Sequence, residues 1–200
     1  LGLDHQRYMP LGKKAVFPLF LFVARLVRMK RADLCIEAIA LVAQKYPSVK
    51  LYIIGNGPDE ARLANLRDSL SLQLNIIFVN KDNFFMSYSK KDKKLSLMQQ
   101  AWALVLPSVK EGWGMVVTEA AACATPAIVS NVTGLRDSVK KDKTGIILSE
   151  NPSAKEIAEA MILLIKDKKL RITMNSQART WSKKFTWERS YQELYTLIKK

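Results

Sequence analysis

Residues 103–130 read ALVLPSVKEGWGMVVTEAAACATPAIVS, and the fold follows from how this stretch divides. "ALVL" is an unbroken apolar run closed by Pro107, the length of a strand and too short for a helix. A loop with Gly112 and Gly114 follows, and a helix is expected from about Met115. A second strand is expected at 126–130. Strands that are apolar at every position are buried on both faces, which is the signature of a parallel sheet covered by helices on either side.

The same alternation extends in both directions. Upstream, residues 16–24 are a continuous apolar run, and 31–46 place Leu34, Ile36, Ala38, Ile39, Leu41 and Val42 at helical spacing before "YPS" ends them. "VKLYIIG" reads as a strand. "PDEARLANLRDSL" opens with Pro58 and two acids, as a first helical turn should. "NIIFV" is a further strand, and downstream another is expected at 145–148. The last quarter is helical. Ser153 and Glu156 form a capping box ahead of Ile157, Met161, Leu164 and Ile165, and Thr186 caps a final helix whose Trp187, Tyr191, Leu194, Tyr195 and Ile198 share a face. No repeat or linker interrupts the chain. The expectation is an α/β fold: a single Rossmann-like domain over residues 1–200, a parallel sheet with helices on both faces, and C-terminal helices.

Composition bounds the function. The 200 residues are 48% hydrophobic and 25% charged, which excludes a disordered chain, and 32 Lys and Arg against 18 Asp and Glu give a net charge of +14. That excess suits an anionic partner (nucleic acid, an acidic lipid surface or a phosphorylated small molecule) and equally a solvated basic surface. Cys35 and Cys123 have small or apolar neighbours and no metal-ligand spacing, so both are expected as buried thiols, and a single His argues against His-based sites. His5 reads as a surface residue. "VFPLFLFVA" is too short to span a bilayer. No signal-peptide pattern is present, and the chain opens on Leu1, so a longer parent polypeptide is expected.

The chemistry is expected at the carboxyl ends of the strands, where loops lead into helix N-termini. Glycines at 112 and 114 let backbone amides approach a ligand, and the helix N-terminus adds free N–H groups that suit phosphate. Carboxylates do not bind phosphate. Glu111 and Glu119, with seven residues between them, would therefore accept hydrogen bonds from hydroxyls. A diphosphate flanked by a ribose and a sugar fits that pattern; a glycine turn leading into a helix that carries an acid is the plainer reading. "GNGPDE" has Glu60 where a dinucleotide fingerprint needs its third glycine, which argues against an NAD site.

"EGWGMVVTE" resembles the E-x7-E motif of the retaining, two-domain nucleotide-sugar glycosyltransferases of family 4, also called group 1. "EAAACATPAIVSNVTGLRDSV" and "KTGIIL" resemble the segments that follow that motif, "VARLVRMKRADLCIEAIALV" the family's "GRL…KG" segment and "YIIGNGPDEARL" its "GxGP" turn. "GLDHQRYMP" is similar to the entry into the C-terminal domain and "FTWERSYQELY" to its closing helix. The resemblance covers essentially the whole chain but only half of the family's enzyme, which has the GT-B fold. It implies that residues 1–200 are the C-terminal, donor-binding domain, that the N-terminal acceptor domain is absent from this chain, and that the isolated domain has little or no transfer activity. It also implies roles: Arg25 and Lys30 bind the diphosphate; amides near Gly114, Met115 and Val116 hold the same phosphates; Glu111 contacts the donor sugar; Glu119 contacts the ribose. The loop from Val79 to Asp82 would lie beside the base. No metal or other cofactor is implied. The substrate would be a UDP-, GDP- or ADP-sugar, the transferred group a hexose, the acceptor a glycan or lipid-linked glycan. The location would be cytoplasmic, with peripheral contact at the inner membrane face. Departures from the pattern are Ala24, Arg31, Ala124 and Asn80, each standing at a usual glycine.

Two other classes of function are expected alternatives. Lys81 to Lys94 interleaves lysines with Phe84, Phe85 and Tyr88, which suits single-stranded nucleic acid or an anionic membrane surface without transferase activity, or else a solvated loop. A donor-binding domain that has lost catalysis is the other. Trp113 either shapes the sugar pocket or packs against the sheet.

Overall fold

The computed structural model describes residues 2–79 and 90–199. Its centre is a six-stranded, all-parallel sheet: β1 (Leu19–Val23), β2 (Lys50–Ile54), β3 (Ile76–Val79), β4 (Ala103–Leu106), β5 (Ala127–Val129) and β6 (Gly145–Ile147), in the order β3-β2-β1-β4-β5-β6. The chain winds outward from β1 to β3 and then returns to lay β4 on the other side of β1. With right-handed crossovers, this reversal places the helices that lead from β1 to β3 on one face and the helix that leads from β4 to β5 on the other.

The sequence accounts for these layers. Phe20, Leu21 and Phe22 are all fully buried, as are Leu104, Val105 and Leu106, so each central strand is covered on both sides. Helix α1 (Ala32–Ala43) turns Leu34, Ile36, Ile39 and Val42 into the core beside α2 (Glu60–Ser69) and α6 (Ala154–Lys166). On the other face lie α3 (Lys90–Gln100), α4 (Met115–Ala122) and α7 (Lys168–Ser182), α4 packing on α7. Half of the expected capping box forms: Glu156 N–H donates to Ser153 Oγ at 3.2 Å, but the Glu156 carboxylate turns away from the Ser153 N–H and accepts from the Ser149 N–H and hydroxyl at 2.6 and 2.7 Å. A short helix α5 (Leu135–Ser138) and the terminal α8 (Trp187–Ile198) complete the chain, and Thr186 caps α8 through Arg189 N–H at 3.1 Å.

Two expectations change, and a third lies outside the described residues. Part of the lysine-rich stretch read as a loop is helix: Lys93 and Lys94 lie on α3, because Leu97 and Met98 of the same helix bury against the sheet. Phe84, Phe85, Tyr88, Asn80 and most of the expected base loop fall in 80–89, outside the described residues. His5 is half-buried and its Nε2 bonds the Phe185 carbonyl at 3.2 Å, tethering the N-terminal segment to the α7–α8 junction.

Both cysteines are free and buried, and burial pushes the Cys123 thiol up to about 11. Near the amino end of β5, Lys14 Nζ donates to Thr125 Oγ1 at 2.5 Å and to the Cys123 carbonyl at 3.4 Å, with no carboxylate paired to it among the described residues. Burial without a counter-charge pulls its ammonium down to about 7.

Candidate functional site

The strand order reverses between β1 and β4, the switch point at which open parallel sheets bind ligands in a crevice at the carboxyl ends of their strands. Two loops meet there. After β1 the chain passes Arg25 and makes a short 3-10 turn at Arg28–Lys30. After β4 it runs through Ser108 to Gly114 into α4. The loops are tied together: Val109 N–H donates to the Met29 carbonyl at 2.9 Å, and Lys30 Nζ donates to Glu111 Oε1 at 2.5 Å and the Lys110 carbonyl at 3.3 Å. The Lys30 and Glu111 side chains are only 16% and 18% exposed, so the pair is screened less than a surface ion pair.

Backbone geometry sets the approach to α4. Gly114 is its N-cap at φ +73, and a Cβ there would come within 2.6 Å of Leu135 Cδ2. Gly134, at φ +88, packs so closely that a Cβ would strike the Gly112 carbonyl. The cap position carries no side chain, so the first-turn N–H groups at Met115 and Val116 receive no side-chain cap. A Cβ at Gly112 would meet nothing within 4 Å.

Arg25 is exposed and its guanidinium has no partner among the described residues. The sequence thus placed Arg25, Lys30, Glu111 and the α4 N-terminus at one crevice, and the structure joins Lys30 to Glu111 directly. Beside Glu111 is a cavity of about 460 Å³ whose wall includes Lys110, Gly112, Asn131, Thr133 and Arg136.

Glu119 lies one turn into α4, and its surroundings were not legible in the sequence. Tyr8 O–H donates to Oε1 at 3.0 Å, and Lys94 Nζ donates to Oε2 at 2.5 Å. Burial, with the Glu119 charge beside it, holds the Tyr8 phenol above the usual range. Tyr8 sits in a stretch read only as the entry to the domain and Lys94 in a run of lysines; no motif marks either. Trp113 corrects an expectation: it turns to the α7–α8 junction and meets Phe185 edge to face at 5.4 Å, and Phe185 meets Trp181 in the same way at 5.2 Å. These rings border a cavity of about 240 Å³.

Among the described residues, no helix is long and apolar enough to cross a membrane, and no group of three or more His, Cys, Asp and Glu could hold a metal ion.

Comparison with known proteins shows the family and the fold. The chain is 28% identical over 177 residues to the D-inositol 3-phosphate glycosyltransferase of Corynebacterium jeikeium, which covers 88% of this chain and 42% of that protein. It therefore spans less than half the length of that relative. In fold it is similar to the C-terminal domain of a group 1 family glycosyl transferase, LpcC, from Francisella tularensis, with a TM-score of 0.79 at 22% identity over 93% of this chain and 100% of that one. Anabaena HepE, solved in complex with UDP-glucose, gives 0.82 at 20% identity, over 100% of this chain and 56% of that one. The model of the family "Glycosyl transferases group 1" matches residues 10–181, and the chain belongs to that family.

Proposed function

We propose that these residues are the donor-binding domain of a retaining glycosyltransferase, holding a nucleoside diphosphate sugar while its hexose passes to an acceptor. The observation that carries the reading is the meeting of the β1 and β4 loops at the switch point: an Arg25 without a partner among the described residues, a half-buried Lys30–Glu111 pair and a helix N-terminus without a side-chain cap stand together there. As the glycosidic C–O bond breaks, its electron pair stays on the β-phosphate oxygen. Arg25, Lys30 and the amides of Gly114, Met115 and Val116 stabilise that charge. In this reading two cations and a helix N-terminus take the place of a metal ion, and no cofactor is used.

Glu111 carries no useful attraction for phosphate, so it takes hydroxyls of the sugar, for which the cavity beside it has room. Glu119 takes the ribose. The HepE complex supports a nucleotide sugar as the ligand class, and UDP, GDP and ADP conjugates are the candidates to test. The acceptor, a glycan or lipid-linked glycan, would be held mainly by a separate N-terminal domain, and these residues alone would transfer little. The two buried thiols suit the cytoplasm, and the net charge of +14 suits contact with an acidic membrane face.

Calorimetric titration of UDP, GDP, ADP and their hexose conjugates tests the proposal. Saturable, base-selective binding is expected, with Arg25→Ala weakening it about tenfold or more by removing charge-assisted hydrogen bonds. Glu119→Ala should weaken every nucleotide, and Glu111→Ala mainly the preference for the sugar-bearing form. Binding only to long polyanions, abolished by salt, would overturn the reading, and robust transfer by this chain alone would contradict the need for a second domain. Retention is read from the anomeric proton signal of the product made by the full-length protein.

A further inference from the structure

We infer that Tyr8 and Lys94 are positioning residues for the ribose end of the donor site, acting through Glu119. The inference rests on the assignment of Glu119 to the ribose and goes beyond it, because neither residue belongs to the motif that suggested that assignment.

The geometry is a carboxylate gripped from two sides. Tyr8 comes from the N-terminal segment and occupies Oε1; Lys94 comes from α3 and occupies Oε2. Each carboxylate oxygen offers two acceptor lone pairs. Among the described residues one on each oxygen therefore stays open, and two adjacent acceptors at fixed spacing match a vicinal diol. Without the grip, a glutamate on a helix surface samples several rotamers and must lose that freedom on binding.

The grip is itself anchored. Arg179 Nη1 on α7 donates to the Tyr8 carbonyl at 3.0 Å and to the Ala122 carbonyl at the end of α4 at 2.7 Å, fixing the tyrosine relative to the helix that carries Glu119. Lys94 also lies 5.8 Å from the centre of the Tyr8 ring, so the two gripping groups hold each other.

The test compares UDP, GDP and ADP with their 2′,3′-dideoxy counterparts, by calorimetry, in the wild type, Glu119→Gln, Tyr8→Phe, Lys94→Met and Lys94→Arg, with the melting temperature of each variant recorded. The wild type should prefer the ribose form by about tenfold or more. Glu119→Gln, Tyr8→Phe and Lys94→Met should each reduce that preference while affinity for the dideoxy form stays level, and Lys94→Arg should retain it. A purely structural role would lower both affinities together and leave the ratio unchanged. If Glu119→Gln loses the preference but Tyr8→Phe and Lys94→Met keep it, the inference falls and the ribose assignment stands. If Glu119→Gln also keeps it, or the wild type shows no preference, both fall.

Discussion

Two positions that carry a side chain where the family pattern has glycine keep the glycine backbone. Arg31 lies at φ 52 and Ala124 at φ 55, both in the left-handed region that a Cβ disfavours by about 1 kcal/mol or slightly more. The departures were legible in the sequence, but the outcome was not, because a missing glycine does not say whether the loop has moved or the strain has been accepted. The backbone accepts it. Ala124→Gly is therefore expected to stabilise the protein by about 1 kcal/mol in urea unfolding; a loss of stability would mean that the Ala124 methyl contributes more by packing than the strained φ costs. Lys14 gives a pH-dependent prediction. Its pKa falls from 10.5 to about 7 on folding, so between those values the unfolded chain holds a proton that the folded chain lacks. Stability from this group rises with pH across that window and is lowest below pH 7. Lys14→Met should raise stability at pH 7 and flatten the rise toward pH 10, as followed by unfolding midpoints at several pH values.

At the level of elements, strands were the most legible because each is an unbroken apolar run, and the six observed strands fall within or beside the expected stretches. Helix α3 was not legible. Its first turns are almost wholly charged, and the apolar residues that seat it, Leu97 and Met98 buried on the sheet with Leu95 packed beside them, come only in its second half. The face of α8 was read correctly as a stripe of Trp187, Tyr191, Leu194, Tyr195 and Ile198, yet all five are exposed and no residue of the helix is buried. Helical periodicity reveals that a face exists but not whether anything covers it. Since α8 adds little to the core, a chain ending at Ser190 should melt within about 4 °C of the full chain, near the shift expected for 1 kcal/mol at this size. It should also bind less of a hydrophobic dye. A large fall in melting temperature would show that α8 supports the sheet.

For the whole molecule, the two acids that bracket the turn in a strongly basic chain each acquire a lysine: Lys30 for Glu111 and Lys94 for Glu119. The first pairing follows from strand order, since the β1 and β4 loops must meet wherever the sheet reverses, and the motif residues on those loops could be placed from sequence alone. The second joins a lysine in a charged run to a motif glutamate only 25 residues away, but no pattern links the two, so only the folded coordinates reveal it. The fold class, the parallel sheet and the position of the crevice were thus legible, whereas the contacts that brace the site from behind were not.

The seam between β1 and β4 also governs time. β1 pairs with β2 through a short crossover, but Phe20 meets Ala103 only after most of the first half of the chain has been arranged between them. Closing so long a loop is the slow, late kind of event in folding, and contacts of this range lower the rate. The crevice therefore gains its shape when the two halves dock and loses it when they part. A ligand spanning the loops on both sides of the seam would act as a clasp, slowing the opening of the sheet and protecting its central amides from exchange with solvent.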